Sequence, residues 1–198
     1  PPFTDAGDGP NTTRPLFRPY APTRDRTRTF PDLRYILNNG NQAPLMRDEN
    51  GVAVFSADSL PNVARQLNFK VTVRDGRGGV ADDDVLLTVD DTAGPFVVTA
   101  PNTNEQWVGG ALATIKWDVN NTSGAAINVT QVRVTLSTDG GKTFPIVLLT
   151  ATPNDGSETI SVPGGLNTIA ARVKVEAIGN IFFDISDADF TITPGTAA

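Results

Sequence analysis

The most constraining stretch of the chain is residues 168–193, TIAARVKVEAIGNIFFDISDADFTIT, where apolar and polar residues alternate one by one. Val173, Val175 and Ala177 fall on one side of an extended backbone, and Arg172, Lys174 and Glu176 fall on the other. That period of two is the pattern of a strand with one buried and one wet face. Gly179-Asn180 supplies residues that tolerate positive φ, and Phe182, Phe183 and Ile185 then resume an extended apolar run. Ser186-Asp187-Ala188-Asp189 turns the chain again before Phe190 and Ile192 alternate with Thr191 and Thr193. These are the closing strands of an antiparallel β-sandwich, and the rest of the domain is expected to cover their apolar face. The stretch holds no nucleophile beside a base.

Composition agrees with many short strands. The 198 residues include 18 Gly and 15 Pro, scattered rather than periodic, which suits tight turns and disfavours long helices. A chain this long makes one large or two small domains of roughly 100 residues each. Apolar residues are 39% of it, which suits a thin core shared between two sheets. No apolar run approaches the ~20 residues of a membrane span, and the first residues carry no basic-then-apolar leader pattern. The net charge of −6 disfavours a protein that tracks nucleic-acid phosphates. With no Cys and no His, disulfides, thiolate nucleophiles and the commonest general base and metal ligand are all excluded. Only carboxylates, Lys, Tyr and hydroxyls remain for chemistry, so the chain is expected not to be an enzyme in its own right.

Residues 1–28 are rich in Pro, Thr, Arg and Gly, and Pro15, Pro19 and Pro22 forbid regular helix, so an extended segment is expected. Arg14, Arg18, Arg24, Arg26 and Arg28 form a basic cluster in an acidic chain. It reads either as a contact for an acidic partner or glycan, or as a solvated face complementing the chain's own carboxylates. Residues 30–37 pack several apolar side chains before the turn signal Asn38-Asn39-Gly40, and a short helical turn can start from Pro31. Leu67, Phe69, Val71 and Val73 alternate with Asn68, Lys70, Thr72 and Arg74; residues 75–79 (DGRGG) turn, and Val85, Leu87 and Val89 return. That is a hairpin.

Only two or three clear strands precede residue 90, against about seven in a complete sandwich. The first domain, residues 1–92, is therefore expected to lack its early strands, as a fragment of something longer would. Residues 93–198 then supply about seven strands, several beginning at turns rich in Gly, Pro, Asn and Asp. The expected architecture is all-β: two tandem sandwiches of the immunoglobulin or fibronectin-III kind, the first N-terminally incomplete.

Three constellations could carry function. Ser137–Phe144, STDGGKTF, fits the Asp-box pattern S-x-D-x-G-x-T-aromatic, in which the Asp accepts backbone N–H bonds and folds a turn. Such boxes recur in sialidases and other secreted β-proteins, away from the chemistry. Carboxylates cluster at Asp82-Asp83-Asp84 and Asp90-Asp91, with Asp75 across the hairpin. Asp75, Asp82, Asp84 and Asp90 are candidate calcium ligands, since hard oxygens between tandem β-domains can bind calcium and stiffen a linker. The alternative is a solvated acidic face, because no D-x-D-x-D-G loop is present. Asp184, Asp187 and Asp189 read as turn and capping groups. Trp117, between Ile115 and Val119, is a core residue, whereas Trp107, beside Val108-Gly109-Gly110, reads as a loop residue that could stack a glycan. Asn11, Asn121 and Asn128 begin N-x-S/T sequons.

With these residues in view, the second domain resembles a module of secreted Bacteroidetes-type proteins. Its marks are residues 96–102 (FVVTAPN), Trp107 with Gly110, Ile115 with Trp117, residues 136–144 (LSTDGGKTF) and residues 171–186 (ARVKVEAIGNIFFDIS). The order is similar to the C-terminal region of reprolysin-like (adamalysin-type) zinc metallopeptidases, where cadherin-like or immunoglobulin-like modules follow a catalytic domain. Phe17, Tyr20, Phe30-Pro31, Leu33 and the run from Leu67 to Gly79 resemble the preceding module. The family's zinc signature H-E-x-x-H-x-x-G-x-x-H has no counterpart here, so zinc and proteolysis would belong to an upstream catalytic domain.

The resemblance implies a non-catalytic accessory region, secreted or at the cell surface, that spaces, docks or helps engage substrate. The alternative is an adhesion or glycan-binding module unrelated to proteolysis; a carboxylate-pair hydrolase ranks last. No cofactor is expected in this chain, apart from the calcium candidate. Partners would be protein or glycan surfaces, with no nucleic acid and no membrane span. The unpaired edge of an incomplete first domain is expected to favour homodimers by strand addition.

Overall fold

The structure, a computed structural model, describes residues 16–17, 21–25, 27–41, 45–47, 49–51, 53–55 and 59–195. Arg14, Arg18, Tyr20, Arg26 and Asn11 lie outside the described residues. The described chain is nearly all β, with one short helix. It divides into two compact units, Pro1–Asp32 with Asn41–Asp91, and Leu33–Gly40 with Thr92–Ala198.

In the first unit β1 (Leu45–Arg47) pairs antiparallel with β2 (Ala53–Phe55), and β3 (Arg65–Arg74) pairs antiparallel with β4 (Val80–Val89). The register sets Leu67 opposite Leu87, Phe69 opposite Val85 and Val73 opposite Ala81, so one face of the β3–β4 hairpin is mostly apolar, interrupted by Asp83 opposite Val71. Its base is covered, because Phe17, Phe30 and Phe69 pack ring against ring with centroids 4.9, 5.1 and 5.6 Å apart. Toward the tip the cover ends, and Val71 and Val73 are 54% and 63% exposed.

The second unit contributes α1 (Leu33–Leu37), β5 (Val97–Ala100), β6 (Gln106–Val108), β7 (Leu112–Asp118), β8 (Gln131–Ser137), β9 (Ile146–Pro153), β10 (Ser157–Ser161), β11 (Thr168–Ala177), β12 (Phe183–Ile185) and β13 (Phe190–Thr193). One sheet has the order β10-β7-β5 and the other β6-β13-β11-β8-β9, with β12 also paired to β11. Every pairing is antiparallel except β13 with β6. The alternation at residues 172–177 does what it implies: Val173 and Val175 are fully buried, opposite Leu136 and Val134 on β8.

Val98, Ile115, Trp117 and Ile160 of the small sheet meet Val132, Val134, Leu136, Val173, Val175, Phe190 and Ile192 of the large one in a single core. Burying each such side chain contributes about 1.5–3 kcal/mol. Polar groups inside this core are satisfied around Asn154. Its side chain accepts from Trp117 Nε1 at 2.9 Å and donates to Val129 O at 3.0 Å and Thr122 Oγ1 at 3.1 Å.

The two apolar surfaces should therefore respond differently to truncation. Phe190→Ala should lower unfolding free energy by about 3–5 kcal/mol through its cavity. Val73→Ala, at the exposed hairpin tip, should change it by no more than about 0.5 kcal/mol. Urea denaturation of both variants checks the contrast.

Candidate functional site

The hairpin carboxylates are placed by turn and ladder chemistry. Asp75 N donates to Gly79 O at 3.2 Å, and Asp75 Oδ1 accepts from Arg77 N at 2.7 Å and Gly79 N at 2.9 Å. The aspartate thus folds its own turn. A Cβ on residue 79 would lie 2.6 Å from that carboxylate, so a side chain there would have to push the Asp75 carboxylate aside. Asp82 and Asp84 stand on the face of the hairpin that carries Lys70, whose Nζ is 3.6 and 3.1 Å from them.

Asp90 follows the last residue of β4, eight residues from Asp82, or roughly 26 Å of extended strand. The sequence-predicted calcium ligands Asp75, Asp82, Asp84 and Asp90 are therefore not brought together. Among the described residues no group of three or more carboxylates is arranged to hold a metal ion. Ten-residue strands keep the tip and base of the hairpin apart, which spacing in sequence alone does not reveal.

Trp107 is corrected from loop to core. It lies in β6, is 7% exposed, and meets Phe190 with ring centroids 4.6 Å apart. Three residues of parallel pairing to β13 turn this side chain inward and leave Gln106 and Val108 outside. Trp117 is 2% exposed. Neither tryptophan offers a stacking platform for a glycan.

The Asp-box is where distant segments meet. Asp139 Oδ1 accepts from Ser137 Oγ at 2.7 Å and Thr143 N at 3.0 Å, while Oδ2 accepts from Thr143 Oγ1 at 2.7 Å. Ser137 Oγ in turn accepts from Gly141 N at 2.9 Å. These donors, Ser137 foremost, hold the Asp139 carboxyl down at about 2. Gly141 has φ 83° and Leu37 of α1 rests on it; a Cβ there would lie 2.5 Å from Leu37 Cδ2. Arg172 lies alongside, its Nε 2.5 Å from Asp189 Oδ1 and its Nη1 2.5 Å from Ser186 O. Asn39 Nδ2 donates to Asp187 O at 3.0 Å, and Asn102 Nδ2 to Asp187 Oδ2 at 2.6 Å. Asp187 and Asp189 thus act as turn and capping groups, as their position after Phe183–Ile185 suggests.

Next to this corner, Lys174 Nζ sits 2.6 Å from Glu176 Oε2 and over the rings of Phe144 and Phe183, 5.2 and 5.6 Å from their centroids. Beside Lys174 in the register, Thr135 Oγ1 is buried with no hydrogen-bond partner among the described residues. Alternation marks Thr135, Arg172 and Lys174 as wet-face residues; the aromatic pair at Phe144 and Phe183 is the one signal that this face is partly covered. The arrangement is built to join segments, and it sets no nucleophile beside a base. Compared with protein-family models the chain matches none, and a comparison with curated proteins returns no match.

Two measurements check these assignments. Asp139→Ala should cost about 1–2 kcal/mol through the lost turn bonds. Because the Asp139 pKa is depressed, its contribution is complete above the ordinary 3.8 and fades as pH falls toward 2. The gap between wild type and Asp139→Asn in acid unfolding should close over that window. Calcium or EDTA should leave the melting temperature unchanged; a calcium-dependent rise would show that the hairpin carboxylates do converge.

Proposed function

We propose that this chain is a non-catalytic spacer and interaction region of a secreted or cell-surface bacterial protein. Support comes first from the strand order of the second unit. Sheets β10-β7-β5 and β6-β13-β11-β8-β9, with the early edge strand divided between β5 and β6, fit an immunoglobulin or fibronectin-III-like module. Such modules separate and present other domains, and they bind through loops and edges because their faces form the core. The sequence resemblance supports a zinc metallopeptidase as the parent, in which catalysis would belong to an upstream domain. Its H-E-x-x-H-x-x-G-x-x-H helix should be encoded before Pro1, and a parent made only of further β-modules would move the assignment to adhesion. No helix among the described residues is long and apolar enough to cross a membrane.

The observation that carries an interaction role is the β3–β4 hairpin. Among the described residues neither of its strands has a second neighbour. Val71, Val73, Val80, Val85 and Leu86 are each between 43% and 63% exposed on it. Exposed apolar side chains on a two-stranded hairpin with no further neighbour among the described residues mark a site for association. The charges choose the geometry of self-pairing. β3 carries Arg65, Lys70 and Arg74, and β4 carries Asp82, Asp83 and Asp84, so β4 against β4 at the aspartates is repulsive.

Analytical ultracentrifugation of the chain over a wide concentration range should therefore reveal a dimer that Val73→Asp weakens at least tenfold. A monomer at every concentration would defeat the self-association reading. Hydrolysis of a protein or peptide substrate by the isolated chain would defeat the non-catalytic one.

A further inference from the structure

β5 is the strand by which the chain enters the second unit after residues 92–95, and it is thinly attached. It pairs with β7 at three Cα positions only, with a register shift between Val98 and Ala100. Its other side meets the segment around β12 through side chains. Phe96 packs on Phe182 with centroids 5.2 Å apart, Val98 N donates to Asp184 Oδ2 at 2.7 Å, and Asn102 pairs with Asp187. Val98 itself is completely buried.

β12 is likewise held to β11 at three Cα positions, and Ser186 just after it adds further ties to that strand. Ser186 N donates to Val173 O at 2.9 Å, Val173 N to Ser186 Oγ at 3.1 Å, and Arg172 Nη1 to Ser186 O at 2.5 Å.

We propose that Asp184 is a proton-operated latch, holding β5 against β12 while its carboxyl is neutral and loosening that strand once it ionises. The carboxyl is half-buried and lies opposite Val175, on the inner side of the sheet. Groups that could neutralise its charge face elsewhere. β5 has no titratable side chain, and on β11 Arg172, Lys174 and Glu176 alternate with Val173 and Val175, pointing to the other face. On β7, Lys116 and Asp118 are exposed and alternate with buried Ile115 and Trp117. The charge that does act on Asp184 is Asp187, of the same sign.

Burial is the largest influence and pushes the carboxyl up to about 6, against the amide bonds from Val98 and Ile185 that favour ionisation. A carboxyl with a raised pKa stabilises the closed seam fully below its unfolded value of 3.8, and that advantage is lost as pH rises toward 6. Above that, lifting β5 to hydrate the carboxylate costs less than it does at low pH, and it breaks only the three Cα pairings with β7.

Amide hydrogen exchange of Val98 in the full chain, corrected for intrinsic rate, tests this directly. Protection should fall about tenfold between pH 5 and pH 7.5, with no matching change at Val134 in the core. Asp184→Asn keeps an acceptor for Val98 N without a titrating proton, and its Val98 protection should be flat across the same range. Protection that is flat in the wild type, or that still falls in Asp184→Asn, overturns the latch. If that variant does not fold, the carboxyl carbon shift of Asp184 in the wild type takes its place. A titration that does not track the loss of Val98 protection overturns the proposal equally.

Discussion

The second unit depends on β11 being paired on both sides while its two faces carry different chemistry. Its inner row, Ala171, Val173 and Val175, closes the core against β8 and β13. Its outer row, Arg172, Lys174 and Glu176, organises the Asp-box, the turn after β12 and the ion pairs beside them. A strand so placed cannot shift by one residue without exchanging the two rows, putting three charges in the core. Register is thereby fixed by the side chains rather than by the backbone alone.

The polar constellations of this protein work mainly as joints. Asp75 and Asp139 each turn a hairpin, Asn154 satisfies the indole of Trp117, and Asp187 ties two distant asparagines. An acidic chain without His or Cys has spent these carboxylates on architecture, and they sit at turns because short strands leave many backbone amides to satisfy.

What was legible in the sequence follows a physical division. Period-two alternation located β3, β7, β8 and β11, since the last three each have one covered face and β3 has one over its first half, and the DGRGG turn announced its hairpin. The Asp-box was readable to the level of its hydrogen bonds, because they lie within a few residues. Trp107 was not readable: β6 is three residues long, too short to display a period, and its direction is set by parallel pairing with β13. The carboxylates of the hairpin looked adjacent because sequence distance hides ten residues of rigid extension. Thr135 and Lys174 looked wet because alternation reports which face a residue takes, not what else comes to lie on that face.

Leu33–Gly40 belongs with residues 92–198 although the intervening segment Asn41–Asp91 does not. Asn39 finds its acceptor 148 positions further on, and Leu37 waits for Gly141. During synthesis, then, the helix emerges from the ribosome long before its seat exists, and translation must pass Asp187 before the piece can dock. A protease that cut the joint at residues 92–95 would likewise leave the second unit holding a piece of the chain from upstream of the cut, so nicking there would not by itself divide the protein into two separable fragments.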